Sequence, residues 1–301
     1  MALFSIIITC HDQAAFIRHA VDSAVAQPHA EKEIIVVDDA SSDESRAILE
    51  EYGDAIQLIK IEQNVGACRA RNLGIAMARG DFLVFVDGDD LLLPWALEVY
   101  TEIIDKKRPH LILSTMKWFE GQNPPSSKEN APAQIEVVDY ESLLKKDRPY
   151  RASASALVIS RDVFIKVQGW TNEIFPLEDL DVLVKLLQSG RTAQILSPPT
   201  VGYRIHGSNT IHQVASCAGA LRMIMQKERR GGYTDGSSNR GQRYAFIGGP
   251  ALFWVKRTYK SGLYREALRL LALGWPMIFA AGVRRVLVSL RGRSAVQTIA
   301  L

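Results

Sequence analysis

Short β-branched apolar runs alternate with stretches of helical period along the first ninety residues. Leu3 to Thr9, Glu33 to Val37, Ile56 to Ile61 and Phe82 to Val86 predict strands, the last bounded by Gly80 and Gly88 and apolar throughout, as a strand buried on both faces would be. Between them, about Ala14 to Gln27 carries Phe16, Ala20, Val21, Ala24 and Val25 on one helical face and stops before Pro28. Asp43 is placed to cap a helix reaching about Tyr52, and a third helix follows Asn64-Val65-Gly66 with Ala70, Leu73 and Met77 inward and Arg71 and Asn72 in its second turn. Strand and helix in strict alternation predict an α/β fold, a doubly wound and mostly parallel sheet flanked by helices and joined by right-handed crossovers.

Further along, Pro94 to Lys106 predicts a helix that opens on proline and Leu111 to Met116 a strand. Phe119 to Ala133, with three prolines, predicts a mobile loop, and Asp139 a cap for a short helix to about Lys146. Arg151 to Ser160 is small and then apolar; its Ala152-Ser153-Ala154-Ser155 run permits either close approach of a substrate or close backbone packing. A helix with Leu180, Leu183, Val184 and Leu187 inward ends at Gly190. Ile211 to Arg229, Phe246 to Lys260 and Leu263 to Leu273 predict further helices, with a Gly- and Ser-rich mobile linker at 230 to 243. The expected organisation is therefore a body over residues 1 to 210 and a helical extension over 211 to 301.

Charge separates the same two parts. The net charge of +3 conceals residues 241 to 301, with ten Lys or Arg against Glu266 alone, while residues 1 to 240 hold 26 cations and 32 acids. The acidic part suits an enzyme body and the basic part an attachment. Leu270 to Val283 is uncharged but short and interrupted by Gly274 and Pro276, which predicts that it does not span a bilayer. With seven arginines flanking it and Trp254 and Trp275 suited to an interface, the tail either lies on an anionic membrane surface or packs as a hairpin on the body or a second subunit. Cys10, Cys68 and Cys217 are odd in number and widely spaced, which predicts free thiols in a reducing compartment. Met1 to Thr9 has no basic region before its apolar run, which predicts a strand and no signal peptide. The expected location is cytoplasmic, and on the membrane reading of the tail it is peripheral on the inner face of the plasma membrane.

The strand ends carry the candidate chemistry. Thr9 and His11, Asp38 and Asp39, and Asp87, Asp89 and Asp90 all fall where parallel strands deliver their carboxyl ends, the usual ligand edge of an open α/β sheet. Three carboxylates within four positions, around a Gly88 that frees the turn, repel one another unless a cation sits among them; a solvated acidic turn is the other reading. A rim of carboxylates, a hydroxyl and Arg71 can bind a nucleotide, with metal and Arg on its diphosphate. Neither Gly-x-Gly-x-x-Gly after the first strand nor Gly-x-x-x-x-Gly-Lys-Ser/Thr occurs, so a dinucleotide fold and a P-loop are unsupported. Glu178 and Asp179 stand at a helix start, where a plain cap would also place them, and His206 in isolation would suit a packing role.

Taken together, Ser5 to Thr9, Ile34 to Asp39 with Ser41, Ser42 and Asp43, Asn64-Val65-Gly66 with Ala70 to Gly74, and the acidic turn resemble family 2 glycosyltransferases of the GT-A fold, in order and in spacing, over roughly residues 3 to 210. The resemblance implies an inverting, metal-dependent transfer from a nucleotide-sugar, expected to be a UDP-sugar, to a glycan or lipid-linked acceptor in cell-surface glycan assembly, with no nucleic-acid partner. It implies that Thr9 and Asp39 contact the nucleoside and that Asp87 and Asp89 hold Mg²⁺ or Mn²⁺ on the diphosphate, Asp89 more directly. His11 stands where the family has Tyr. The Glu-Asp pair implies Asp179 as general base, with Glu178 and Asp181 orienting it or binding acceptor; His206 implies a residue that closes over the diphosphate or reaches the metal. Arg71 is expected to orient the donor. A sugar-nucleotide nucleotidyltransferase and a non-catalytic nucleotide-sugar sensor share the sheet and remain alternatives.

Overall fold

The structure, a computed structural model, describes residues 2–28, 31–122, 134–138, 153–186, 190–233, 239–291 and 299–300. The expected helix after Asp139, most of the 119–133 loop, Arg151, Ala152, Leu187 and part of the 230–243 linker lie outside the described residues. The predicted alternation is present: β1 (Phe4–Cys10), α1 (Ile17–Val25), β2 (Lys32–Asp39), α2 (Ser45–Glu50), β3 (Gln57–Ile61), α3 (Ala67–Met77) and β4 (Phe82–Asp87). These strands form the parallel half of a nine-stranded sheet in the order β3-β2-β1-β4. The chain winds outward from β1 to β3 and then returns to the other side of β1, so a topological switch lies beside β1 and a crevice opens at the carboxyl ends there.

The remainder comprises β5 (Leu91–Leu92), α4 (Ala96–Lys107), β6 (Leu111–Leu113), β7 (Met116–Glu120), β8 (Gln134–Val138), β9 (Leu157–Ser160), α5 (Arg161–Lys166), α6 (Glu178–Leu186), β10 (Thr192–Ser197), β11 (Val201–Ile205), α7 (Val214–Arg229), α8 (Arg240–Lys260), α9 (Tyr264–Arg291) and β12 (Ile299–Ala300). β9 pairs antiparallel with β4 and β6, and the large sheet continues through β10, β8 and β12. A second sheet, β5-β11-β7, sits over the acidic turn. The expected strand from Leu111 to Met116 is thus two strands, because Ser114 donates to the Ala156 carbonyl and the chain then leaves for the second sheet.

Alternation along the strands builds two cores. Ile7, Ile35, Val37, Leu83 and Phe85 point to one face, and Ile6, Ile8, Ile34, Val36, Val84 and Val86 to the other, all buried. The first core takes in Leu221, Met225, Phe246, Trp254, Leu270 and Met277 of the C-terminal helices, which therefore pack on the body. On α3 the inward face is not the predicted one. Leu73 and Met77 are exposed, and Cys68, Ala70, Arg71, Gly74 and Ile75 are buried. The helix lies so close to the sheet that a Cβ on Gly74 would come within 2.6 Å of the Ile7 side chain, so glycine stands at the closest approach and Leu73 and Met77 turn outward.

Two expectations about the C-terminal part also change. Arg240 to Arg243, assigned to the linker, are the first turn of α8, where Arg243 forms a buried ion pair with Glu228 at 3.1 Å. The uncharged run from Leu270 to Val283 belongs to one long helix, and Tyr264–Leu287 is long and apolar enough, by length and composition, to cross a membrane. Gly274 and Pro276 both lie inside this helix, and a Cβ on Gly274 would come within 2.7 Å of Met225 Sδ.

Candidate active site

Register brings the strand ends together. Thr9 of β1 pairs with Asp87 of β4, and Cys10 pairs with Asp38 of β2, so three polar tips share one edge. Side chains alternate across a strand, and the two aspartates of β2 therefore part. Asp38 is fully buried beneath, accepting from Arg46 Nε at 2.7 Å. Asp39 faces the crevice and accepts from the backbone N–H groups of Val65 and Gly66 at 2.7 and 2.8 Å. Gly66 has φ +87°, a left-handed conformation that favours glycine, and this aims its N–H at the carboxylate.

These tips line a cavity of about 460 Å³. Thr9, His11, Asp39, Arg71, Asp87, Asp89, Glu178 and His206 all contribute to its wall; Asp179, the next residue on α6, is not among the lining residues. Fragments up to two hundred residues apart in sequence thus meet around one space large enough for a small ligand.

The acidic turn is held from several sides. Gly88 donates to the Thr9 carbonyl at 3.0 Å, and a Cβ on it would stand 2.9 Å from that oxygen, so close approach and not backbone freedom requires glycine there. Asp90 also contributes to the wall but is almost wholly buried, and its carboxylate accepts from Ser155 Oγ at 2.7 Å and from the Arg204 backbone N–H at 3.0 Å. Burial, and then the charges of Asp89 and Asp87, hold its carboxyl well above the usual range. Ser155 Oγ also accepts from the Asp87 backbone at 3.0 Å, which gives the small run before β9 a packing role. Arg204 is sandwiched between the Phe16 and Phe119 rings, 5.0 and 4.5 Å from their centroids, and donates from Nε to the Asp89 carbonyl.

Asp89 itself points at His206, Oδ2 to Nε2 2.8 Å. The imidazole is oriented by Ser208 Oγ at 2.7 Å on Nδ1 and stacks on Phe16 with centroids 4.8 Å apart. Burial, then the neighbouring Asp87 charge, raises the Asp89 carboxyl. Oxygen and nitrogen donors side by side on a cavity wall fit a hard divalent cation. Among the described residues no group of three or more His, Cys, Asp or Glu is arranged to enclose an ion. A cation held by one or two protein groups and completed by phosphate oxygens is the pattern usual for Mg²⁺.

Arg71 occupies an unexpected place. It is buried between Asp87 at 2.6 Å and Glu178 at 2.7 Å, with its guanidinium 4.9 Å from the Trp170 ring. It therefore joins the acidic turn to the start of α6. Burial alone would lower its pKa, and the two carboxylates outweigh that and raise it. Asp179, beside Glu178, is raised to about 7, first by burial and then by the Glu178 charge. Asp181 points away from the cavity: it is fully buried, bonded to Thr171 Oγ1, Lys185, Lys227 and Tyr233, and so ties α6 to α7. The sequence reading had it orienting the base or binding acceptor; its four partners and full burial leave no surface for an acceptor. That reading missed Phe16, Ser155 and Arg204. Phe16 had a signal, since it lies just before α1 and beyond the polar end of β1.

Residues 5–164 match the family described as glycosyl transferase family 2. An uncharacterized glycosyltransferase of Haemophilus influenzae is 27% identical over 187 residues, 62% of each chain. The poly(ribitol-phosphate) β-N-acetylglucosaminyltransferase TarS of Staphylococcus aureus is 28% identical over 210 residues, 67% of this chain and 35% of TarS. The chain thus spans less than two thirds of the length of either relative. The structure of TarS residues 1–349 with UDP-GlcNAc superposes with a TM-score of 0.65 at 18% identity, covering 86% of this chain and 73% of that one. The mannosyltransferase PcManGT of Pyrobaculum calidifontis, solved with GDP-Man and Mn²⁺, superposes at 0.59 with 14% identity, over 98% and 77% of the two chains. Those two likenesses show the GT-A architecture, and the match over more than half the sequence goes further: this chain belongs to glycosyl transferase family 2.

Proposed function

We propose that the protein transfers a sugar from a nucleotide-sugar, a UDP-sugar, to an acceptor hydroxyl with inversion at the anomeric carbon. One observation carries the reading: Thr9, Asp39, Asp87, Asp89, Glu178 and His206 line a single cavity at the carboxyl ends of the parallel strands. The TarS structure with UDP-GlcNAc supports the choice of donor class.

Thr9 and Asp39 bind the nucleoside, with His11 beside the base. Asp89 and His206, with Asp87 adjacent, would hold Mg²⁺ or Mn²⁺, which as a Lewis acid stabilises the leaving diphosphate. Arg71 keeps Asp87 and Glu178 in register. Glu178 is committed to that ion pair, so Asp179 is the carboxylate left to accept a proton. A base is most effective when its pKa lies near the working pH, and Asp179, at about 7, meets that condition. It removes the acceptor proton as the oxygen attacks the face opposite the diphosphate, in a single displacement with oxocarbenium character. The acceptor is a glycan or lipid-linked saccharide of the cell surface, met where the basic C-terminal helices touch the anionic inner face of the plasma membrane.

A thermal-shift screen of nucleoside diphosphates and nucleotide-sugars with Mn²⁺ tests the donor, since a ligand that binds only the folded state raises the melting temperature. UDP species are expected to shift it most. No shift with any of them would reject the reading. Slow UDP release from the donor without acceptor separates a transferase from a sensor.

A further inference from the structure

One side of α9 is locked to the body. Ala267, Leu270, Met277 and Ala281 are buried against α7 and α8. Gly248 of α8 lies where any Cβ would overlap the Met277 carbonyl, and a Cβ on Gly274 would meet Met225 Sδ at 2.7 Å. The side facing solvent is the reverse of what water selects. Tyr264, Leu268, Leu271, Trp275, Phe279 and Val286 are exposed, Leu268 at 66%, Trp275 at 58% and Phe279 at 64%. Their three- and four-residue spacing, closed by a double step to Val286, puts them in one stripe along the axis, about 33 Å long at 1.5 Å per residue. A surface helix normally presents polar residues there, and a continuous apolar stripe marks an interaction site.

Charge selects the occupant. Residues 241–301 hold ten Lys or Arg against one acid; Arg243 is buried on Glu228, while Arg265, Arg285 and Arg269, the last sharing Glu266, stand exposed at the margins of the stripe. Two copies apposed through this face would bring those cations together, whereas an anionic headgroup layer neutralises them. Near its C-terminal end the stripe runs into an apolar groove of about 340 Å³ between α8 and α9, to which Phe279, Val283 and Leu287 contribute, with room for an acyl chain. Tyr264–Leu287 is long enough to cross a bilayer, but its inward face is packed on protein from Ala267 to Ala281, so it cannot cross without leaving the body.

We infer that α9 is an in-plane membrane anchor that seats Leu268, Trp275, Phe279 and Val286 at the boundary of headgroups and acyl chains of an anionic membrane. The inference rests on the membrane contact in the proposed function and is independent of the sugar-transfer chemistry.

The test is flotation of the full-length protein with vesicles of phosphatidylcholine alone and of phosphatidylcholine with phosphatidylglycerol, comparing wild type with Leu268→Glu/Phe279→Glu. Both positions are exposed, and unchanged melting temperature and UDP–Mn²⁺ response establish that the variant is folded. The wild type is expected to float at least tenfold more with phosphatidylglycerol, and the variant to lose that binding by at least tenfold. Equal flotation of the two proteins would overturn the inference, as would absence of wild-type binding to anionic vesicles. A wild-type dimer in sedimentation, dispersed by the same substitutions and indifferent to vesicles, would assign the face to a second copy. A protein that floats yet binds no nucleotide would reject the donor and leave the anchor standing.

Discussion

Arg71 Nη1 lies 2.7 Å from Glu178 Oε1, although 107 residues separate them, and the same guanidinium reaches Asp87. A cation buried on α3 is thereby the link between the acidic turn after β4 and the first residue of α6. The two ends of the cavity are held at a fixed separation by one side chain.

Arg71→Met leaves two carboxylates facing each other in a buried place. The expected loss is about 3–5 kcal/mol of stability, the usual range for removing one partner of a buried ion pair. Denaturant unfolding measures it. Arg71→Lys keeps the charge without the planar fork that bonds both partners, so a smaller stability loss with a large fall in kcat is expected. A variant as stable and active as wild type would remove Arg71 from the positioning role.

Asp179 sets the expected pH dependence. Burial and Glu178 raise its carboxyl from 3.8 to about 7, so between those values the folded state holds a proton that the unfolded chain has lost. Stability contributed at this site therefore falls as pH rises from about 4 to about 7, while transfer rises through the same upper limit as the base ionises. Asp179→Asn is expected to retain donor binding, to lose transfer by roughly a hundredfold or more, and to flatten the rate profile near pH 7. Full activity in that variant would exclude Asp179 as base.

Asp89→Ala and His206→Ala separate metal from nucleoside contacts. Both are expected to abolish the gain in UDP affinity on adding Mn²⁺, while metal-free UDP binding through Thr9 and Asp39 persists. Titration calorimetry with and without Mn²⁺ reads this directly, and an unchanged Mn²⁺ effect in both would reject the ligand pair.

Asp181 has the opposite sign to Asp179. Burial pushes its carboxyl up, but Lys185, Lys227 and Tyr233 prevail and hold it below its ordinary 3.8. Its contribution to stability is therefore complete above about pH 4 and is lost as the pH falls through the lowered value. Asp181→Ala removes the carboxylate shared by Lys185, Lys227 and Tyr233 and is expected to cost up to about 3–5 kcal/mol, with a shallower acid limb in the melting temperature. Wild-type stability at neutral pH in that variant would contradict the clamp between α6 and α7.

The sequence by itself determined the alternating strands and helices, the acid at their carboxyl ends and the family. Each follows from local chemistry: β-branched runs, turn residues and a fixed order of motifs. That Thr9, Asp39, Asp87 and Asp89 meet around one cavity was legible because a parallel sheet delivers its strand ends to one edge. Only the tertiary structure decided that Arg71 serves carboxylates at both ends of the cavity and that Asp181 belongs to a buried clamp. It also decided that α3 turns Leu73 and Met77 outward and Gly74 toward β1, since how closely a helix approaches a sheet is set by the partner surface. For α9 the pattern gave a helix over Leu263 to Leu273 and an interrupted uncharged run; only the structure joined them, and packing settled which side is covered by protein.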